Sequence, residues 1–303
     1  MSRRQRLLNG WLRRIEKPRL RTAAPATLRR SLEIQARLFF FAPGGTRRIW
    51  RRWGGVRCLE LTPRGQQPNR TVFYIHGGGF VFGSPDTHRA MAAQIGQRLG
   101  ARVVMPQYRL APEAPFPAAP EDVRAAWDAL IADGIDPASV VVGGDSAGGA
   151  LAFGLIAALC AEGRPRPGAV FAFSPLTDLT ASGDSLRSNA EAEVMLPAER
   201  TAELAETFLC GADPQEPRVS PLFGRFDGAP PSWITVGDTE ILCDDARRLA
   251  DVLRRDGVCV ELCEEADLPH VWPLFHNILP EARVTLDRLA AWIRQQQGWG
   301  REN

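Results

Sequence analysis

The sequence has a single lysine, two tyrosines and no long apolar run. Of its 37 basic residues, only Lys17 is a lysine, so the positive charge comes almost entirely from arginine. The formal net charge of +2 in 303 residues gives no strong field that would attract a nucleic acid. No stretch approaches the roughly 18–20 apolar residues that a membrane span requires. These absences argue against a nucleic-acid partner and against a membrane-spanning protein.

The six cysteines form no C-x-x-C pair, and no further zinc ligands lie near Cys259 and Cys263. We therefore expect reduced, mostly buried thiols and no metal site. The basic start of the chain runs from Trp11 and Leu12 directly into Arg13 and Arg14, without the apolar stretch of a secretory signal. The expected compartment is the cytoplasm.

Hydrophobic residues make up 45% of the chain, which is enough for one large core with a small accessory piece. The first 55 residues are rich in arginine, show no obvious strand and contain two helical patterns, at 5–15 and 28–41. Basic amphipathic helices of this kind either bind anionic membranes or form a helical cap whose arginines are solvated. Both interpretations stay open, although no obligatory membrane association is expected.

From Val56 onward, short apolar runs alternate with helical patterns. Because the runs are almost continuously apolar, they indicate a mostly parallel sheet that is covered on both faces. The stretch 182–220 interrupts the alternation. We therefore predict an α/β protein with a catalytic domain at 56–181 and 221–303, an N-terminal helical cap segment at 1–55 and a second cap segment at 182–220. The predicted strands are 71–75, 102–106, 140–143, 169–173, 232–236 and 259–262, and the helices are about 120–132, 147–161, 244–256 and 280–297.

A G-x-S-x-G motif lies at 144–148, between a buried strand and a long apolar helix. Such a turn is too tight for side chains two residues before or after the serine, which explains Gly144 and Gly148. The turn exposes the hydroxyl of Ser146 and places the N–H of Ala147 at a helix N-terminus, where developing negative charge is stabilised. Ser146 is therefore the predicted nucleophile.

A second glycine motif, His76-Gly77-Gly78-Gly79-Phe80, directly follows the predicted strand at 71–75. Acyl transfer passes through an oxyanion, which needs two or three N–H groups that converge on one point. A loop without side chains allows the backbone to come that close. No G-K-[S/T] sequence follows, which argues against a nucleotide-binding loop.

Together with further motifs at 108–113, 116–119, 121–122 and 174–179, these residues make the chain similar to the bacterial hormone-sensitive-lipase family of esterases, in its G-D-S-A-G-G branch. The resemblance runs from about 71 to 292. It implies an eight-stranded α/β-hydrolase sheet under a small helical cap and cleavage of short- to medium-chain esters without a cofactor. It also implies that Gly78, Gly79 and Ala147 form the oxyanion hole, while His76 and Gly77 support the loop. A homodimer through an edge strand is common in that family and is an option here.

The α/β-hydrolase order of nucleophile, acid and histidine requires a histidine after Ser146, which leaves His270 and His276. His270-Val271-Trp272 fits the family pattern, so His270 is the predicted base and His276 a surface or packing residue. For the acid, residues 240–244 match a family stretch of aspartate, proline, leucine, any residue and aspartate, with two departures, Glu240 and Ile241. Glu240 is therefore the predicted triad acid, and Asp244 the predicted N-cap of the next helix. The other candidate acids are Asp178, Asp238 and Asp245.

The predicted function is hydrolysis of small carboxylic esters through Ser146, Glu240 and His270. A lactonase, an amidase or a lipase on the same triad is the second possibility, and a non-catalytic ligand-binding homologue is the third. We expect a substrate pocket between the cap segments, lined by Phe39, Phe40, Phe80 and Met195.

Overall fold

The computed structural model describes residues 2–300 and contains one eight-stranded sheet in the order β1-β2-β4-β3-β5-β6-β7-β8. The pairs β1–β2 and β2–β4 are antiparallel, and all other neighbours are parallel. The strands are β1 Arg47–Trp53, β2 Val56–Thr62, β3 Thr71–Ile75, β4 Arg102–Pro106, β5 Val140–Asp145, β6 Ala169–Phe173, β7 Ser232–Gly237 and β8 Val260–Glu265.

Helices cover both faces of this sheet and build the cap above its carboxyl ends. A π-helical turn, Leu12–Glu16, joins α1 to α2. The α-helices are α1 Arg3–Trp11, α2 Lys17–Thr22, α3 Pro25–Phe39, α4 Pro85–Leu99, α5 Ala118–Ala132, α6 Ala147–Ala161, α7 Ser185–Ser188, α8 Thr201–Leu209, α9 Cys243–Arg255 and α10 Pro280–Gln297. The predicted mostly parallel eight-stranded sheet is thereby confirmed.

The sequence prediction of no strand before residue 56 was wrong. β1 pairs with β2 along its whole length and forms one edge of the sheet. Its sequence, Arg-Arg-Ile-Trp-Arg-Arg-Trp, is exposed at five of seven positions, so it lacks the apolar run that marks a buried strand. Helix α4 was also missed, because its buried residues lie all around it and are interspersed with polar ones, so that it shows neither an amphipathic period nor a continuous apolar run.

Alternating residues of the central strands feed two cores, one on each face of the sheet. Phe73 and Val142 point to the core that also contains Trp127 of α5. Val72 and Val141 point to the core on the opposite face. Because both faces are buried, the strands at the centre of the sheet are rigid, and the loops at their carboxyl ends are held in fixed positions.

The two cap segments are fastened to each other through the only lysine. The Lys17 ammonium is 8% exposed and donates hydrogen bonds to the carbonyl oxygens of Ala190 and Glu193, at 2.8 and 2.7 Å. Arg13 donates to the carbonyl oxygens of Glu191 and Ala192. The N-terminal helices and the segment after α7 therefore form one roof. No helix between residues 2 and 300 combines the length and the apolarity that crossing a bilayer demands.

Candidate active site

Ser146 occupies the sharp turn between β5 and α6. Its backbone angles, φ 52° and ψ −124°, are strained for a non-glycine residue. A Cβ atom at position 144 would lie 2.3 Å from the Gly148 oxygen, and one at position 148 would lie 2.2 Å from the Ile75 oxygen. Glycine is therefore required on both sides of the serine, for the steric reason that the motif suggested.

The buried carboxylate of Asp145 ties this turn to the glycine loop. One of its oxygens accepts hydrogen bonds from the Tyr74 hydroxyl at 2.7 Å and from the Gly77 N–H at 3.1 Å. The other lies 3.2 Å from Nε2 of His88. Burial opposes ionisation of this carboxyl, but the His88 charge and hydrogen bond, together with the bond from Tyr74, outweigh it and lower the pKa of Asp145. The result is an anchored carboxylate that joins the two glycine motifs.

The glycine loop after β3 lies beside the turn that carries Ser146, since the Gly77 N–H bonds to Asp145. Gly78 and Gly79 adopt φ values of 124° and 56°, and a Cβ atom at position 78 would lie 2.1 Å from the Phe82 oxygen. In the described part of the chain, the N–H groups of Gly78, Gly79 and Ala147 have no protein acceptor. Donors left unsatisfied by the protein are free to bind a negatively charged oxygen.

His76 is packed beneath this loop. Its ring stacks on Tyr108 with centroids 4.2 Å apart, and Nδ1 lies 2.9 Å from the Gly77 oxygen. The Tyr108 hydroxyl donates to the His76 carbonyl at 2.8 Å. Burial and the neighbouring His88 lower the pKa of His76 to about 3, so the ring is neutral near pH 7.

His270 and Glu240 form a buried pair at the ends of the loops that follow β8 and β7. Nδ1 of His270 lies 2.7 Å from one Glu240 oxygen. The other oxygen accepts hydrogen bonds from the Gly237 N–H and from the Ser174 hydroxyl, both at 2.7 Å. Burial lowers the pKa of His270, but the hydrogen bond and the charge of Glu240 more than compensate, so that the pKa is raised above 6.5.

The remaining candidate acids have other partners. Asp178 accepts hydrogen bonds from Thr180 and Ser182 and pairs with Arg248, which is a turn-capping role. Asp238 accepts the Asp267 N–H at 2.8 Å. The buried Asp245 accepts hydrogen bonds from the backbone N–H groups of Thr177 and Asp178. Burial raises the pKa of Asp245 to about 7.

Asp244 and His276 both contact backbone groups. Asp244 is not the N-cap of α9, because the helix begins one residue before it; its carboxylate instead accepts the Ser185 N–H at 2.8 Å. His276 is a buried packing residue, and its ring nitrogens lie 3.3 Å from the carbonyl oxygens of Pro273 and Phe41.

Three cap side chains at four-residue spacing hold the loop that carries Glu240. Ser185 Oγ donates to the Ile241 oxygen at 2.8 Å and accepts the Asp244 N–H. The Asn189 amide donates to the oxygens of Asp238 and Glu240, at 3.0 and 2.9 Å. Glu193 accepts the Ile241 N–H at 3.2 Å. The cap therefore holds both the oxygen and the N–H of the peptide group that follows Glu240.

A cavity of about 150 Å³ lies between the roof and the sheet, and both Ser146 and His270 border it. Its walls are mainly apolar and come from the N-terminal helices, the second cap segment and the glycine loop; they include Leu20, Leu28, Leu32, Phe40, Phe80, Met195, Leu196 and Leu204. Phe40, Phe80 and Met195, which the sequence analysis expected in the substrate pocket, border this cavity. Phe39 does not: it is 51% exposed, because α3 ends there and only the following Phe40 turns inward, onto Phe275.

Comparison with known proteins agrees with this geometry. Residues 72–274 match a family model described as the α/β-hydrolase fold. The chain is 39% identical to an acetyl-hydrolase of Streptomyces hygroscopicus over 246 residues, which are 81% of this chain and 82% of that protein. It is 34% identical to an esterase of Acinetobacter venetianus over 277 residues, 91% of each chain.

A solved structure of an esterase from the bacterial hormone-sensitive-lipase family superposes with a TM-score of 0.92 at 36% identity, covering 98% of this chain and 99% of the other. The chain belongs to this family. The crystal structure of the esterase EstE5 after soaking with p-nitrophenyl butyrate is similarly close, with a TM-score of 0.93 at 33% identity, covering 98% of this chain and all of the other. The hormone-sensitive-lipase resemblance that the sequence motifs indicated is thereby confirmed.

Several residues that hold the loops around Ser146, Glu240 and His270 were not assigned a role from the sequence. Ser174 bridges the two loops, since its hydroxyl donates to Glu240 and accepts the Val271 N–H at 3.1 Å. Asp145 bonds to the Tyr74 hydroxyl, the Gly77 N–H and the His88 ring, whereas Asn189 and Glu193 bond to backbone groups distant in sequence. Asp145 and Ser174 carried a signal, since they lie in the G-D-S-A-G-G motif and in the motif at 174–179; Asn189 and Glu193 lie in a region without a regular pattern.

Proposed function

We propose that the protein is a carboxylesterase that hydrolyses short- to medium-chain esters through an acyl-enzyme on Ser146. The observation that carries this proposal is the 2.7 Å contact between His270 Nδ1 and Glu240, on a histidine that borders the same cavity as Ser146. A carboxylate at Nδ1 orients the ring so that Nε2 is the free nitrogen, which is the one that must act as base.

In the proposed reaction, His270 Nε2 takes the Ser146 proton while Oγ attacks the ester carbonyl. The resulting oxyanion accepts hydrogen bonds from the N–H groups of Gly78, Gly79 and Ala147, and each such donor contributes about 2.7–4 kcal/mol of barrier reduction. The imidazolium then protonates the departing alcohol, which leaves Ser146 acylated. A water molecule, activated by the same histidine, releases the acid and restores the serine.

The cavity supports a preference for small acyl groups. Its volume of about 150 Å³ and its roof of cap residues leave limited room, while its mainly apolar walls favour an alkyl chain over a charged one. We therefore propose that activity peaks with short to medium acyl chains and declines for long ones. A lactonase, an amidase or a lipase using the same triad is the competing function, and a non-catalytic binding protein is the third.

A panel of p-nitrophenyl esters of increasing acyl length tests the proposal. We expect wild-type turnover to be highest at short or medium length, and Ser146→Ala to abolish it with the fold intact, because the hydroxyl forms the covalent intermediate. Ser188→Ala, an exposed cap serine, serves as the matched control and should keep full activity. Turnover by Ser146→Ala would refute the covalent mechanism, and strong activation on emulsified triglyceride would favour a lipase. The cytoplasmic location and the homodimer stay predictions.

A further inference from the structure

The N-terminal helices expose an aligned set of large apolar side chains. Leu7, Trp11 and Ile15 are 76%, 40% and 53% exposed, and their four-residue spacing places them on one face of the helix. Ile34 and Leu38 repeat the pattern on α3, at 49% and 61%. Phe39 and Phe41 extend it. Between residues 2 and 300, nine large hydrophobic side chains are exposed, and seven of them belong to these helices and the residues just after them.

The two apolar stripes belong to neighbouring helices. Arg4 at the start of α1 donates to the Ile278 oxygen, and the Phe41 N–H after α3 donates to the Asn277 side chain, so both ends meet at one turn. Farther along, Arg19 of α2 donates to Ser31 of α3. We call the exposed apolar set Leu7, Trp11, Ile15, Ile34, Leu38, Phe39 and Phe41 the outer face. The neighbouring side of α1 is fixed in the protein, where Leu8 and Leu12 are buried in one cluster with Trp272 and Phe275.

The charge of the same segment is strongly one-sided. Residues 2–41 contain eleven arginine or lysine residues and two glutamates, a formal charge of +9, whereas the whole chain carries +2, which leaves −7 for the rest. Many of these arginines are exposed, among them Arg3 in line with Leu7, and Arg30 in line with Ile34. Aligned apolar residues flanked by arginine are characteristic of helices that lie in a membrane interface.

From this combination of exposed apolar stripes and a +9 segment, we infer that the outer face binds reversibly to the surface of an anionic lipid bilayer. The apolar side chains would enter the boundary between headgroups and acyl chains, and the arginines would contact lipid phosphates. A second copy of the chain fits this face less well, because a symmetric contact would bring two +9 segments together. The inner side of these helices forms a wall of the cavity, so binding would place the cavity close to the lipid.

Vesicle co-sedimentation of the full chain tests the inference without any turnover, so its result is independent of the proposed reaction. We expect binding to phosphatidylcholine vesicles that contain about 30% phosphatidylglycerol, little binding to phosphatidylcholine alone, and release when NaCl is raised from about 50 to about 500 mM. The triple variant Leu7→Ser, Trp11→Ser, Ile15→Ser should reduce the bound fraction at least about tenfold, because it removes one stripe. Arg3→Glu, Arg30→Glu, Arg37→Glu should reduce it similarly.

The matched control is Ile49→Ser with Val284→Ser, which removes the two exposed apolar side chains outside the outer face and should leave binding unchanged. A thermal melt verifies that every variant is folded. Equal binding to zwitterionic and anionic vesicles, or no binding at all, would overturn the inference. So would light scattering that shows a wild-type dimer which the triple variant converts to a monomer, since the outer face would then cover a second copy.

Discussion

The carboxylate of Glu240 receives three polar contacts, from His270, Ser174 and Gly237, at 2.7 Å each. Both of its oxygens are therefore used, and the side chain is 1% exposed. A glutamate is one methylene longer than the aspartate that the family pattern has at this position, and here it reaches back to the N–H of a residue three positions earlier. That bond fixes the carboxylate while leaving its second oxygen for the histidine.

If Glu240 is the triad acid, Glu240→Gln should lower kcat by about 10⁴-fold, as a comparable acid-to-amide change does in a serine protease. The amide keeps the shape but cannot stabilise the imidazolium, and it favours the wrong tautomer of His270. Asp178→Asn, at the rival carboxylate, should change kcat by less than about tenfold because that side chain caps a turn. Steady-state kinetics of both purified variants decide between the two, and the reverse ranking would contradict the assignment.

We expect kcat/KM to decrease as the pH is lowered, with the midpoint of this decrease above pH 6.5. His270 must be neutral to accept the serine proton, and Glu240 raises the pKa of the buried ring above that ordinary value. Protonation as the pH decreases therefore removes the base, and kcat/KM decreases with it. The measurement is kcat/KM from about pH 5 to 9 with an ester whose leaving group does not ionise in that range. Samples returned to neutral pH must regain activity, and a profile that stays flat to pH 5 would exclude His270 as the base.

The sequence predicts the role of a residue when that role depends on residues close to it in the sequence. Ser146 and its glycines follow from the steric limits of one turn, and Glu240 was selected by the register of Leu242 and Asp244. Ser174 could not be found this way, because its function depends on bringing together loops that are 66 and 97 residues away. The N-cap role of Asp244 failed for a related reason, since a cap serine supplies the competing donor.

At the scale of elements, the short helix α7 and the residues after it form a brace for the acid loop. Ser185, Asn189 and Glu193 lie one helical turn apart and bond to the backbone between residues 238 and 244. Two residues later, Met195 lines the cavity. One continuous segment thus contacts the substrate space at one end and the Glu240 backbone at the other.

Asn189→Ala should therefore reduce kcat about tenfold while changing KM less than about twofold, because small displacements of an aligned group are costly in the reaction step. The amide donates to the carbonyl oxygens of Asp238 and Glu240, and alanine leaves both without this donor. Ser188→Ala, one residue earlier and exposed, is the control. A change in KM alone would show that Asn189 shapes the pocket and does not position the acid.

Helices and strands with a clear apolar pattern in the sequence were predictable. Those whose position is set by packing against other elements were not. The limits of β3, β4 and β6 and of α6 and α10 agree with the predicted residues. The three strands and α6 are nearly continuous apolar runs, and α10 has apolar residues at helical spacing. β1 is an arginine-rich strand at the edge of the sheet, where charged side chains prevent pairing with the strands of other chains. The same charges remove the apolar run by which a strand is recognised in a sequence. α4 is buried nearly all around but contains polar residues throughout, so it shows neither a helical period nor the continuous apolar run that marks α6.

At the scale of the whole molecule, the cavity is assembled from stretches more than 200 residues apart. Leu20 and Phe40 come from the N-terminal helices, Met195 from the second cap segment, and His270 from the loop after β8. The composition of such a pocket can be guessed from sequence, but the direction of each side chain cannot. The phenylalanine run at 39–41 shows this, since only its middle member faces the cavity.

Lys17 offers a direct measurement of whether the roof opens. It is the only lysine, is 8% exposed, and donates to two backbone oxygens of the second cap segment. An amine-reactive reagent should therefore modify it slowly in the native protein, at a rate set by local separation of the two cap segments. Arg13→Ala removes the neighbouring bonds to Glu191 and Ala192 and should accelerate the modification, whereas Arg14→Ala, which bonds only within its own helix, should not.

Mass spectrometry of the peptide that contains Lys17 gives the modification rate. A phosphonate attached to Ser146 should slow the modification of Lys17 further, because it fills the cavity beneath the roof. That effect follows because a ligand which binds only the closed arrangement shifts the population away from the open one. Rapid modification in the wild type, unaffected by Arg13→Ala or by the phosphonate, would mean that the two segments are not held together in solution. The cavity would then lack its roof for part of the time, and the cap could not set the acyl preference.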